Sequence, residues 1–275
     1  MTRHRIPRPK KAHGGRANSG APKNTNANSS EPARHLRNIG LARAISKMGY
    51  CSRSRAEDAI RAGRVRVNGV VRRNVEVPVH LGKDRLEIDG HEIKKAEKIY
   101  LMLNKPRGVV TSASDERGRE TIYSFLQKYQ DGSLKWVAPV GRLDKASEGL
   151  LLITNDSEWA AKITAPETHI DKTYHVQIAE RATPAMIEQL QQGITVKDGE
   201  FLRVKSASVI RSGERNCWLE IVLDEGRNRH IRRMFETIGV EMLRLIRVSI
   251  GALKLGDLLK GEVRALSEQE KAIVV

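Results

Sequence analysis

No apolar run in this chain is longer than a β-strand. The longest, such as Gly149 to Ile153, fall far short of the roughly 18 residues a membrane-spanning helix requires. The core must therefore be assembled from many short pieces. After Lys94-Lys95-Ala96-Glu97-Lys98 the strand-sized pieces are Tyr100 to Leu103, Val109 to Thr111, Trp136 to Val140, Leu150 to Thr154, Thr173 to Ile178, Cys217 to Leu223 and Leu243 to Val248. Three helical patterns lie between them. Ile122, Phe125, Leu126 and Tyr129 follow Thr121; Met186, Ile187 and Leu190 follow Thr183-Pro184 and stop at Gly193; Ile231, Met234, Phe235 and Ile238 stop at Gly239. Strands outnumber helices and do not alternate with them, so the expected class is α+β.

A length of 275 residues suggests about two domains, and the charge distribution places the division. Residues 1–38 carry nine Lys/Arg against one Glu, among Pro, Gly, Asn and Ser, and are expected to form a disordered basic arm. Residues 39–98, a small domain with its linker, hold fourteen basic against eight acidic residues, whereas residues 99–275 are nearly balanced at 26 against 24. Positive charge concentrated in the front third calls for a polyanion, with nucleic acid the natural partner. A merely solubilising tail and an organelle transit peptide are the competing readings of the arm. Behind it lies no apolar secretory segment, so a cytoplasmic protein with Cys51 and Cys217 as free thiols is expected. Eleven aromatics are too few for a platform of base-stacking rings.

In the small domain, Leu41, Ala44, Ile45 and Met48 repeat at helical spacing and stop at Gly49. A second helix begins near Ser52 or Ser54, the latter offering a capping box with Glu57, and ends near Gly63. Val65 and Val67 then alternate with Arg64 and Arg66 before Asn68-Gly69, a type I′ hairpin signal. Arg43, Lys47, Arg53, Arg55, Arg61, Arg64 and Arg66 occupy the polar positions, where they could follow phosphates without reading bases. The stretch LARAISKMGYCSRSRAEDAIRAGRVRVNGVV resembles the S4 RNA-binding domain, two helices and a short β-hairpin, which implies recognition of structured RNA by shape. A DNA-binding helix-turn-helix is the competitor, but here the second helix runs directly into a hairpin.

In the larger part, Gly141-Arg142-Leu143-Asp144 sets a carboxylate in a turn ahead of Ser147, Gly149 and a wholly apolar strand. From the residues alone, a turn or capping role for Asp144 competes with a catalytic one. VGRLDKASEGLLLITND (140–156) resembles the signature of the RluA/RsuA pseudouridine synthases, whose catalytic aspartate falls at Asp144. DKTYHV (171–176) is similar to their lysine/tyrosine motif, which implies that Tyr174 packs on the target uracil and assists proton removal. DEGRNRHIRRMF (224–235) is similar to their third motif, which implies that Arg232 is the basic partner of the aspartate. LNKPRGVVTS (103–112), LIRVSIGALKLGDLLKGEVRALS (245–267) and the S4 stretch extend the resemblance over nearly everything from residue 39 onward. The wording EGRNR and the S4 unit point to the RsuA/RluB/RluF branch that modifies ribosomal RNA, with the RluB-like group nearest. Ser147 stands where Thr is common, and His230 where Gln is common.

The resemblance implies a catalytic domain built on a central mixed, mainly antiparallel sheet flanked by helices. It also implies isomerisation of a uridine in ribosomal RNA, met free or within an assembly intermediate, by a monomer without membrane contact. Such a reaction needs no cofactor or metal, and no nucleotide loop or metal-ligand spacing is present in the sequence. It needs a carboxylate kept ionised although enclosed, and hence a cation. At about 100° per residue, Ile231, Met234, Phe235 and Ile238 centre one helix face, Arg232 lies at its border, and Arg229 and Arg233 point roughly opposite. Arg232 is thus free to enter a pocket, while Arg229 and Arg233 read as phosphate contacts and Arg142 as a grip on the flipped nucleotide. Two alternatives stand beside the isomerase: a non-catalytic ribosome-associated RNA-binding protein, and a glycosidase-type hydrolase. The latter would need a second carboxylate, and Glu148 reads as a solvated loop residue.

Overall fold

The computed structural model describes residues 38–113, 115, 117–129 and 136–274. All of the expected arm except Asn38 lies outside the described residues. Strand β1 (Ile39–Gly40) leads into helix α1 (Leu41–Lys47), and Gly49 follows with φ +74°, the left-handed step that ends this helix. Helix α2 (Arg53–Arg61) is capped by Ser52, whose hydroxyl accepts from the Arg55 amide. The expected capping box of Ser54 and Glu57 does not form, because the helix begins one residue before Ser54 and Glu57 pairs with Arg61.

Strands β2 (Val65–Val67) and β3 (Val70–Arg72) make the expected hairpin, with Asn68 at φ +51° and Gly69 at φ +80° as a type I′ turn requires. The hairpin is not the whole sheet. After β4 (Pro78–Val79), which pairs with β1, strand β5 (Leu86–Ile88) joins the free edge of β2, and β6 (His91–Glu92) follows it. Val65, Val67, Leu86 and Ile88 close this sheet over Leu41, Ile45, Ala56 and Ile60, giving the small domain a core of its own.

The remainder is built on a nine-stranded sheet, counted among the described residues. Its members are β7 (Tyr100–Lys105), β8 (Ala138–Val140), β9 (Glu148–Thr154), β10 (Lys172–Ile178), β13 (Ser206–Ser212), β14 (Cys217–Leu223), β15 (Met242–Ile250), β16 (Leu253–Lys254) and β17 (Val263–Ala265). The central order is β13-β14-β10-β15-β9-β7-β17. Only β9 and β15 run parallel; the other pairings are antiparallel, so the sheet is mixed as expected. Every residue of β9 is buried, which is what a continuous apolar run covered on both faces demands. Strand β14 instead alternates buried and half-buried positions.

Helices α3 (Ser157–Thr164), α4 (Pro184–Gln192), α5 (His230–Thr237) and α6 (Glu268–Ile273) cover the sheet, and the short pair β11 (Ile194–Thr195) and β12 (Phe201–Leu202) follows α4. Two expected elements differ. The strand predicted over Val109 to Thr111 is a single bridge, Val110 to Thr121, and the pattern after Thr121 folds as a 3-10 helix over Ile122–Tyr129.

The end of α1 meets the linker and the start of α3 by direct contacts. The Ala96 amide donates to Met48 O at 2.8 Å, Lys47 Nζ meets Glu158 Oε1 at 2.8 Å, and Gly49 leaves room for the Asn155 carboxamide, which would lie 3.2 Å from an added Cβ. Asn155 in turn accepts from the Ile99 amide and donates to Glu97 O. Among the described residues no helix is long and apolar enough to cross a membrane.

Candidate active site

The loop between β8 and β9 is fixed by its own main chain before any side chain acts. Asp144 O accepts from the Ser147 amide at 3.0 Å and from Lys105 Nζ at 3.2 Å. Lys105 also donates to Ser147 O and Pro106 O, and Thr111 Oγ1 donates to Leu143 O. A wholly buried ammonium thus holds three carbonyls of neighbouring loops and sets the position from which the Asp144 carboxylate projects. Sequence reasoning passed over Lys105; the one available signal was a lysine closing the apolar strand Tyr100 to Leu103.

Burial is the largest influence on Lys105 and pulls it down to about 8 from its ordinary 10.5, against the carboxylates of Asp144 and Glu148. A lysine that titrates lower when folded than when unfolded binds fewer protons in the native state between about pH 8 and 10, so its contribution to stability rises with pH across that window. The urea midpoint of the wild type should therefore rise relative to that of Lys105→Met as pH is raised from 8 to 10. A difference that stays constant would contradict this assignment.

Helix α5 brings Arg232 to the same loop. Its Nη2 donates to Ala146 O at 3.1 Å and to Ser147 Oγ at 3.2 Å, and its Nε lies 3.6 Å from Asp144 Oδ2 without a hydrogen-bond acceptor. The pair expected from sequence is thus brought together, with burial distributed otherwise than expected. The Arg232 side chain is 13% exposed and that of Asp144 35%, so the cation is enclosed and the acid opens outward. Burial, partly offset by Asp144, holds the Arg232 guanidinium below its ordinary range.

Asp144 faces a cleft of about 510 Å³, also lined by Arg142, Leu143, Ser147, Lys172, Tyr174, Arg229 and Arg247, a size that suits a small ligand or one everted nucleotide. Tyr174 comes from β10 and is half-buried; Arg142 and Arg229 are exposed at the cleft. Arg229 begins α5 in the left-handed region at φ +50° and pairs with Glu236 at 2.6 Å. His230 is buried with Glu225 Oε1 3.4 Å from its Nδ1, and burial pushes its pKa down.

Other sequence-chosen residues sit elsewhere. Arg233 points away from the cleft and is held at 2.6 Å by both Asp198 and Glu200, so its charge is already matched. Lys47 faces α3 at the junction described above, because the last turn of α1 packs there. Arg43, Arg53, Arg55 and Arg66 are exposed without carboxylate partners among the described residues, whereas Arg61 and Arg64 form exposed pairs with Glu57 and Asp89. Such exposed pairs are worth little and exchange readily for a phosphate.

Glu148 is not solvated. It starts β9 with its side chain 3% exposed, accepts both Nε and Nη2 of Arg244 at 3.0 Å, and meets Lys260 Nζ at 2.7 Å. Desolvation would raise its pKa, yet the bonds from Arg244 and Lys260 outweigh it and hold the carboxyl below its ordinary value. A carboxylate so engaged is unavailable as a second acid at the cleft.

A family profile described as RNA pseudouridylate synthase matches residues 99–237, and an S4 domain profile matches residues 39–86. The chain is 35% identical over 231 residues to the ribosomal large subunit pseudouridine synthase B of Bacillus subtilis strain 168, covering 84% of this chain and 93% of that one. It is 35% identical over 235 residues to an uncharacterised RNA pseudouridine synthase of Aquifex aeolicus, covering 85% of this chain and 92% of the relative. A crystal structure of a pseudouridylate synthase superposes with a TM-score of 0.60 at 30% identity, covering 86% of this chain and 100% of the other.

Proposed function

Because this chain belongs to the RNA pseudouridylate synthase family and carries an S4 domain ahead of its catalytic domain, we propose that it converts one uridine of large-subunit (23S) ribosomal RNA to pseudouridine. The observation that carries the reading is a carboxylate on the wall of a nucleotide-sized cleft, 3.6 Å from an enclosed guanidinium, with an aromatic ring among the other lining residues.

The reaction breaks the C1′–N1 bond, turns the detached uracil and joins its C5 to C1′. Asp144 acts at the ribose, where an ionised carboxylate can either attack C1′ or assist removal of the C2′ proton. Arg232 faces Asp144 with its positive charge and aims it, acting from behind the cleft wall. Tyr174 packs against the uracil and retains it while it is free of the sugar. The target must leave its stack to reach the cleft, and Arg142 and Arg229 at the rim are the groups we assign to its flanking phosphates. The substrate is ribosomal RNA, alone or in an assembly intermediate, met by a monomer in the cytoplasm.

Mapping pseudouridines in ribosomal RNA from cells with and without this protein tests the proposal. One large-subunit site should lose its modification and regain it on complementation; an unchanged map would overturn the reading. The exposed arginines of the S4 domain carry the affinity in this proposal. Replacing Arg53, Arg55 and Arg66 by Gln should weaken RNA binding and flatten the plot of log affinity against log salt by about 0.7–0.9 for each phosphate left unneutralised. An unaltered salt slope would move RNA recognition to the catalytic domain.

A further inference from the structure

Arg247 carries a charge that no described residue neutralises. It is 6% exposed, its Nε donates to Leu150 O at 2.8 Å, and its Nη2 is buried without an acceptor. Arg232, Arg233 and Arg244 each have a carboxylate nearby; Arg247 has none among the described residues. Burying a guanidinium without a counter-ion is costly, and such a group persists where a ligand supplies the missing acceptor.

The sheet states where that ligand would lie. Tyr174 and Arg247 are direct partners in the antiparallel pairing of β10 with β15, and Lys172 stands two residues along β10; all three line the cleft that contains Asp144. Lys172 is half-buried, and its pKa is lowered first by burial and then by the charge of Arg247. Two mutually repelling cations therefore share the cleft on the strand pair that bears the aromatic ring.

We infer that Arg247 and Lys172 form a subsite for the departing base and receive the carbonyl oxygens of uracil as negative charge builds on it. The inference rests on the isomerase reading above. When C1′–N1 breaks, both bonding electrons stay with N1, and the base becomes a uracil anion with its charge shared by N1, O2 and O4. When the turned base rejoins, C5 supplies the pair for the bond to C1′, the proton on C5 is released and N1 gains one, so nothing is added or lost overall. Donors already aimed at the place where charge develops lower that barrier. The register favours base over phosphate. Directly opposed residues hold their Cβ atoms about 5 Å apart, so a ring resting on Tyr174 presents its edge to Arg247. A phosphate belongs at the rim, where Arg142 and Arg229 are exposed.

The test compares the single-turnover rate of C1′–N1 cleavage on an RNA fragment carrying the mapped uridine with that on the same fragment carrying 5-fluorouridine there. The fluorinated base has no C5 proton to release and is therefore scored by loss of the N-glycosidic bond and not by pseudouridine. Fluorine makes the base more acidic, so its anion departs with less assistance. Arg247→Met should slow the uridine reaction by about 10²–10³-fold, the range expected for loss of one preorganised donor, with little change in RNA affinity and a clearly smaller loss on 5-fluorouridine. Lys172→Met, a change at a half-buried cleft wall, should show the same pattern if the Arg247 variant fails to fold, and Arg247→Lys should restore part of the rate. Equal losses on both RNAs, or weaker RNA binding that accounts for the whole loss, would overturn the inference. If the wild type forms no pseudouridine, the isomerase reading itself fails. Wild-type activity that is abolished in Asp144→Asn but kept in both Met variants would overturn this inference alone.

Discussion

Asp144→Asn is expected to abolish pseudouridine formation, a loss on the order of 10⁴-fold or more, while leaving RNA affinity within experimental error. The substitution keeps the shape of the side chain and removes its charge, so neither attack at C1′ nor proton removal at C2′ is possible. The loop should stay in place, because it is held through the carbonyl of residue 144, which accepts from Ser147 and Lys105. Arg232 loses its Coulomb partner but keeps its bonds to Ala146 O and Ser147 Oγ. Quantifying pseudouridine in parallel with RNA binding checks the result. Product formed at an undiminished rate would show that the chemistry lies elsewhere. A variant that fails to bind RNA would show that Asp144 is a structural residue.

Gly149→Ala is expected to damage folding severely, costing more than about 4 kcal/mol. Gly149 lies at φ +101°, and a Cβ there would sit 2.3 Å from Arg247 O and 2.9 Å from Arg247 N. This is the backbone of Gly149's own partner in the parallel pairing of β9 with β15 and cannot move aside without separating the strands. Gly256→Ala is the matched control: φ is +60°, but no atom lies within 4 Å of the added carbon. Its cost should be only about 1–2 kcal/mol, that of a non-glycine residue in the left-handed region. Urea unfolding of the two variants decides the matter, and similar midpoints would refute the steric argument.

Features that depend on neighbours in sequence were legible from it. The periodicity of Ile231, Met234, Phe235 and Ile238 located α5 and put Arg232 at the border of its buried face. Asn68-Gly69 announced the turn whose φ angles the structure displays, and the apolar run from Leu150 marked the most buried strand. What depends on long-range contact was hidden. Glu148 looked solvated because its two cations arrive from β15 and from the loop after β16. Lys105 looked like the polar end of a strand, because the carbonyls it gathers belong to separate loops. Arg247 read as one more residue of the segment 243–248, since nothing local betrays a guanidinium left without a counter-charge. Of the two candidate caps, Ser52 is used and Ser54 is not, for a local reason: Ser52 is the residue in extended backbone at the helix start.

The junction between α1 and α3 has a further consequence. With Lys47 paired to Glu158 and the Asn155 carboxamide seated against Gly49, the end of α1 rests against the start of α3 and is held at one distance from the cleft. The two parts are placed like the jaws of a caliper resting at one opening. An RNA fold whose grip point and target uridine differ from that opening would be held in one jaw and miss the other. On the function proposed above, length and angle then contribute to the choice among many chemically identical uridines.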